Sequence, residues 1–142
     1  MNYKIEKEKI FISLDPGDKI NENLEKVAVL ESLQSAWISG IGAISDIEIG
    51  YFEPAKKDYD HRKFEGEFEL ISLLGNISLK EGKHFAHTHI TFSDTTYRVY
   101  GGHLFDAKIT AAGEFLMTKS EIPLQRKFNE DVGLALWCLQ DE

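Results

Sequence analysis

The chain has 142 residues, 42% of them hydrophobic, and carries 24 acidic against 16 basic side chains for a formal net charge of −8. That length fits one domain around one core, and no apolar run approaches the roughly 18–20 residues of a membrane span. An acidic chain (pI about 5.1) opposes the phosphate backbone of nucleic acid, whose binding runs on clustered Lys and Arg; here the basic residues stand among acids in 4–9 and 56–63, as on an ordinary solvated surface.

The first residues, Met1 to Glu8, are charged and lack the apolar stretch of a secretion signal. Residues 9–14, with Ile10, Ile12 and Leu14 in alternation, predict a first strand. Asp15, Pro16, Gly17 and Asp18 make a turn, with Asp18 placed as the N-cap of a helix over 19–34. In that helix Ile20, Leu24, Val27, Ala28 and Leu30 recur at helical spacing. Residues 36–52 predict a strand, entered through a glycine bend at Gly40 and Gly42. Those glycines follow a helix and precede a strand, the reverse of a dinucleotide-binding loop, so they read as a bend that permits close packing.

Residues 53–66 read as a polar connection. Phe68 to Leu79 predicts a further strand, broken at Leu74, Gly75 and Asn76. A hairpin follows over 84–104, then a last long strand over about 107–118 that stops before Pro123. The tail from Asn129 to Leu139 reads as a short helix or an edge segment. One early helix and several strands joined by short turns predict an α+β fold: a single domain over residues 1–142 with a mostly antiparallel sheet.

The chemistry concentrates in the hairpin. Four of the five histidines, His84, His87, His89 and His103, fall within residues 84–103. Side chains alternate along a strand, so His87 and His89 share a face and His84 points away. A turn of about three residues around Ser93 to Thr96 would pair positions summing to roughly 190, setting His103 opposite His87. Three imidazoles on one face suit zinc or a similar divalent metal. Gly101 and Gly102, just before His103, mark a bulge or a close backbone approach. His61 lies in a charged segment and reads as an exposed surface residue. Cys138, the one cysteine, excludes an intrachain disulfide and fits a reducing cytoplasm. Its apolar neighbours, Leu134 to Leu139, make it a packed thiol.

Four blocks in fixed order carry a resemblance: Leu14 to Asp18, Ser39 to Ala43 running on to Gly50, Tyr51 and Phe52, Phe68 to Ser78, and His87-Thr88-His89 leading to Gly101-Gly102-His103-Leu104. Together they resemble the plants-and-prokaryotes conserved (PPC) domain, over about residues 8–137. The resemblance implies a sandwich-like domain with a strongly curved, largely antiparallel sheet, assembled as a homotrimer. It also implies that His87, His89 and His103 are the metal ligands, with zinc as the usual ion. Plant members place this domain after AT-hook DNA-binding motifs; this sequence has none. The expectation is therefore a stand-alone prokaryotic, cytoplasmic metal-binding protein, a DNA-binding or regulatory module that acts mainly through protein interactions, with the DNA-binding label carried over by analogy from the plant members.

The alternative is a metal-dependent enzyme acting on a small substrate, since a three-histidine zinc site can lower the pKa of bound water to about 7. A cupin would place a glutamate shortly after its His-x-His pair, but Ile90, Thr91, Phe92 and Ser93 follow here. Glu69, Asp106 and Glu114 are the candidate acids or bases, and nothing in the sequence separates them.

Overall fold

Alternation of apolar and polar residues decides most of this fold. The computed structural model describes residues 1–139. In strand β2 (Lys9–Leu14), Ile10, Ile12 and Leu14 are buried while Lys9, Phe11 and Ser13 face outward, the period of a half-buried strand. A strand that the sequence reading did not anticipate, β1 (Asn2–Glu6), pairs with it at the sheet edge. Helix α1 (Ile20–Leu30) buries Ile20, Leu24, Val27 and Ala28 against the sheet. These join Ile38, Leu73, Phe92 and Leu104 in one core.

Seven more strands follow: β3 (Ser35–Glu53), β4 (Asp58–Phe64), β5 (Phe68–Lys80), β6 (Lys83–Ser93), β7 (Val99–Ser120), β8 (Gln125–Asn129) and β9 (Leu134–Cys138). The order runs β1-β2-β7-β3-β5-β8-β9, with β4 on β3 and β6 joining both β5 and β7. Because β3 pairs with β5, β5 with β6, β6 with β7 and β7 with β3, the ladder returns to the strand it left. Such a ring requires a curved sheet, and register shifts in β3 at Gly40/Gly42 and Ser45/Glu48 supply the bends. A Cβ on Gly40 would run into the ring of Phe115, so the absent side chain permits the close approach. Every pairing is antiparallel except β5 with β8, parallel across two residue pairs. The result is a single small, mostly antiparallel domain with one helix. No helix among the described residues is long and apolar enough to cross a membrane.

Several sequence expectations give way. The helix covers 20–30 rather than 19–34, because Ser32 turns left-handed at φ 49° and ends it. Lys19, not Asp18, is the N-cap; the Asp18 carboxylate accepts from the Asp15 N–H and pairs with the terminal ammonium of Met1. The polar connection 53–66 contains β4, held by its backbone ladder to β3. The strand Phe68–Lys80 runs unbroken through Gly75, where a Cβ would meet the backbone of β6. The strand expected over 107–118 is continuous with the hairpin arm; of the two readings of the tail, the edge segment holds, as β9 paired to β8 at the end of the strand order, and the helix does not.

Candidate metal centre and its cleft

The three histidines meet where β6, β7 and β3 run side by side. His103 pairs directly with His89 on β6 and with Gly50 on β3, and His87 pairs with Asn76 on β5. The expected partner of His103 was His87. The turn is longer than supposed, spanning residues 94–98 between β6 and β7, and its register slides by two. An even slide preserves the face of every side chain, so the triad still forms. One donor atom from each ring lies within 4.8 Å of the others. Ring centroids are 5.2 Å apart for His87–His89, 5.1 Å for His87–His103 and 5.5 Å for His89–His103.

A buried polar bond aligns both strands beneath the triad. Asn21 of α1 donates from Nδ2 to the carbonyls of Leu104 and Phe105, and its Oδ1 accepts from the Thr88 hydroxyl at 2.7 Å. Thr88 stands between His87 and His89, and Leu104 follows His103. One side chain thus fixes the backbone on which all three imidazoles sit.

Aromatic rings close one side. Tyr59 stacks on His103 at 4.7 Å between centroids, and Phe105 meets it edge-on at 5.0 Å. Both fit because Gly50 lacks a side chain: a Cβ there would lie 2.7 Å from Phe105 and 2.8 Å from Tyr59. His61 is exposed, as expected, yet it stacks on Phe105 at 4.1 Å and its Nδ1 lies 2.9 Å from Glu48. His84 faces away, also as expected, with Nε2 bonded to the Leu33 carbonyl.

Burial, the largest cause, lowers the pKa of both His87 and His103 from 6.5 to about 4, helped by Arg126 and the neighbouring imidazoles. Both rings are therefore neutral at pH 7 and keep a lone pair for a metal. Nδ1 of His103 is buried without a hydrogen-bond partner among the described residues. An orphaned buried nitrogen calls for a partner. The donor set of three imidazoles fits a divalent ion such as zinc, which would act there as a Lewis acid on a bound water or ligand.

A cleft of about 420 Å³ adjoins the triad, lined among others by His87, His103, Tyr59, Phe85, Asp106 and Arg126. Of the three candidate acids only Asp106 reaches it; Glu69 and Glu114 do not. Burial pushes the Asp106 carboxyl up, against the backbone N–H groups of Ala107 and Asn21 that accompany it. Glu25, also in the cleft, is raised by burial while accepting from the Ala86 N–H. Glu25, Tyr59 and Arg126 escaped the sequence reading. Only Glu25 carried a signal, lying one helical turn beyond Asn21; the other two arrive through ladders that local pattern does not reveal.

A model of the Plants and Prokaryotes Conserved domain matches residues 1–121. The chain belongs to this family. Among solved structures, one from Bacteroides thetaiotaomicron, provisionally described as DNA-binding, is 31% identical with a TM-score of 0.93, over 96% of each chain. A PPC protein from Pyrococcus horikoshii is 31% identical with a TM-score of 0.87, over 99% of this chain and 97% of its own. A protein from Archaeoglobus fulgidus described as metal-containing is 34% identical with a TM-score of 0.85, over 96% of each chain. No curated protein matches the chain.

Proposed function

We propose that this PPC-domain protein binds one divalent ion per subunit through His87, His89 and His103, with zinc as the candidate, and serves as a regulatory module that works through protein contacts. The observation that carries the metal reading is the convergence of three imidazoles from two strands. The metal-containing relative supports it.

Contacts with other chains are supported by a second surface. Phe11, Trp37, Ile41, Ile71 and Leu74 are each about half exposed on the sheet, and most border a broad groove of about 890 Å³. Apolar surface gathered in this way marks an interface. Its occupant in this proposal is a second copy of the chain, in a homotrimer. Direct DNA binding has little support: the net charge is −8, and the outward side of α1 offers Glu22, Lys26, Val29 and Leu30 rather than a basic row to read a groove.

Metal analysis of untagged protein, paired with a duplex-DNA titration at two salt concentrations, tests this reading. The expected result is one zinc per subunit and no binding tighter than about micromolar at physiological salt. A metal-free protein, or tight and salt-sensitive DNA binding, would refute it.

A second reading, a metal-dependent enzyme on a small substrate, rests on Asp106 and Glu25. Raised carboxyls in a cleft beside an open metal position are the equipment of general acid–base chemistry.

A further inference from the structure

Among the described residues Arg126 is a cation without an anion. Its Nε donates to Ser78 Oγ at 2.7 Å, one terminal nitrogen to the Ala135 carbonyl at 2.9 Å, and the other to Asn76 Oδ1 at 3.1 Å and His87 Nδ1 at 3.2 Å. Phe85 and Trp137 flank it, with centroids at 5.4 Å and 6.0 Å. Every one of these partners is neutral, and no carboxylate pairs with Arg126 among the described residues. It is partly buried, lines the cleft and lies beyond the 121 residues matched by the family model. A partly desolvated guanidinium served only by dipoles remains available to a negative ligand.

Its contact with His87 cannot coexist with a metal. A neutral imidazole has one lone pair and one N–H. In the contact with Arg126, which only donates, that lone pair is on Nδ1. If a metal takes Nδ1, Arg126 is displaced. If it takes the other nitrogen, Nδ1 carries the hydrogen and confronts a second donor. Either way Arg126 loses an acceptor. A guanidinium has five N–H donors, and four are engaged in the contacts above. Loss of His87 leaves one free on each terminal nitrogen, a pair that the two oxygens of a carboxylate can accept together.

We propose that the cleft binds a small monocarboxylate anchored by Arg126, and that a metal ion on the triad switches this anchor on. The inference rests on the metal reading above. The walls suit a compact organic acid: Phe85, Leu104, Phe105 and Leu136 provide apolar surface, and about 420 Å³ lies within the ~300–1,000 Å³ of small-ligand sites. At the α1 end Glu22, Glu25 and Asp106 disfavour a second negative group, so one carboxylate is selected over two. Metal and carboxylate then bind with positive coupling, and linkage makes the effect reciprocal.

Benzoate and benzamide, alike in shape and different in charge, are suitable probes. Calorimetry should show benzoate binding the zinc-loaded protein at least about tenfold more tightly than benzamide does. In the wild-type protein, competition with a chelator should show benzoate, but not benzamide, tightening zinc by the same factor by which zinc tightens benzoate. Arg126→Gln should take zinc more tightly than wild type when no anion is present, and should lose most of its benzoate affinity. Circular dichroism checks that the variant folds, and the wild-type linkage decides the matter if it does not. Zinc binding that ignores benzoate, or benzoate binding unchanged within twofold by Arg126→Gln, would overturn the inference while leaving the metal centre standing. A wild-type protein that takes no zinc would overturn both.

Discussion

The Thr88 hydroxyl donates to Asn21 Oδ1 at 2.7 Å, and through this bond helix α1 holds the stretch of β6 that presents His87 and His89. Both residues are buried, so the bond is made out of competition with water. Removing one partner strands the other. Thr88→Val should cost about 1–3 kcal/mol of stability, measurable by denaturant unfolding. It should also weaken zinc binding by roughly 10–100-fold, as loss of outer-shell support does elsewhere. Unchanged metal affinity in a destabilised protein would show that Asn21 serves the fold alone.

Gly50 offers a complementary test from the other side of His103. Gly50→Ala puts a methyl group where Tyr59 and Phe105 now pack, and overpacking of this kind costs about 1–3 kcal/mol. Because both rings rest on His103, the variant should fold, lose heat stability and bind zinc less well. Thermal melts with and without zinc separate these effects: the stabilisation conferred by zinc should shrink.

The pH dependence follows from the two buried imidazoles. His87 and His103 are held near 4 in the folded chain against 6.5 in a model peptide. As pH falls through 6.5 the unfolded chain takes up protons that the folded chain refuses, so the stability of the metal-free protein drops between about 6.5 and 4. Glu25 and Asp106, whose carboxyls burial raises, tilt stability the opposite way, towards acid. The informative quantity is therefore a difference in slope. His103→Asn should show a shallower loss than wild type across that window, in melts run with a chelator present.

His89 is the most exposed of the three candidate ligands, so its removal disturbs packing least. His89→Ala should lose zinc and stay folded. If a turnover is found, its loss with the assembly intact favours the enzyme, whereas collapse of the assembly makes the metal structural. Light scattering and metal analysis on one sample distinguish the two.

The assembly proposal is tested at Leu74. About half exposed beside His89 in the β5–β6 ladder, it contributes little to the core of its own subunit. Leu74→Glu should yield a folded monomer by light scattering, since a charge buried without a partner at an interface costs several kcal/mol. A wild-type protein that is already monomeric at micromolar concentration would refute the proposal outright.

The sequence showed clearly what depends on parity. Ile10, Ile12 and Leu14 announced β2, and the common face of His87, His89 and His103 survived a register that had been placed two residues off. Gly40 and Gly42 bend the strand, as their place before an apolar run implies. What stayed hidden has little apolar pattern of its own. β1 and β4 are mostly exposed, and β4 is largely charged; both exist because neighbouring strands offer them a backbone ladder. The end of α1 depended on the left-handed turn at Ser32, and Asp18 was claimed by the N-terminus before it could cap. Arg126 reaches His87 through a short parallel pairing with a distant strand, which no local window contains.

That short pairing sets how the molecule opens. The β8–β9 hairpin is zipped along five residue pairs within itself, yet among the described residues its backbone ladder to the rest of the sheet is two pairs long, Leu79–Gln125 and Lys80–Arg126, supplemented by the Arg126 side-chain bonds. β7, by contrast, is braced by β2, β3 and β6. Peeling the hairpin breaks few bonds, whereas freeing β7 dismantles the domain. Amide hydrogens of residues 125–138 should therefore exchange through a partial opening, well before those of residues 113–118, which wait for global unfolding. One wall of the cleft is carried by the part of the chain that unfastens first.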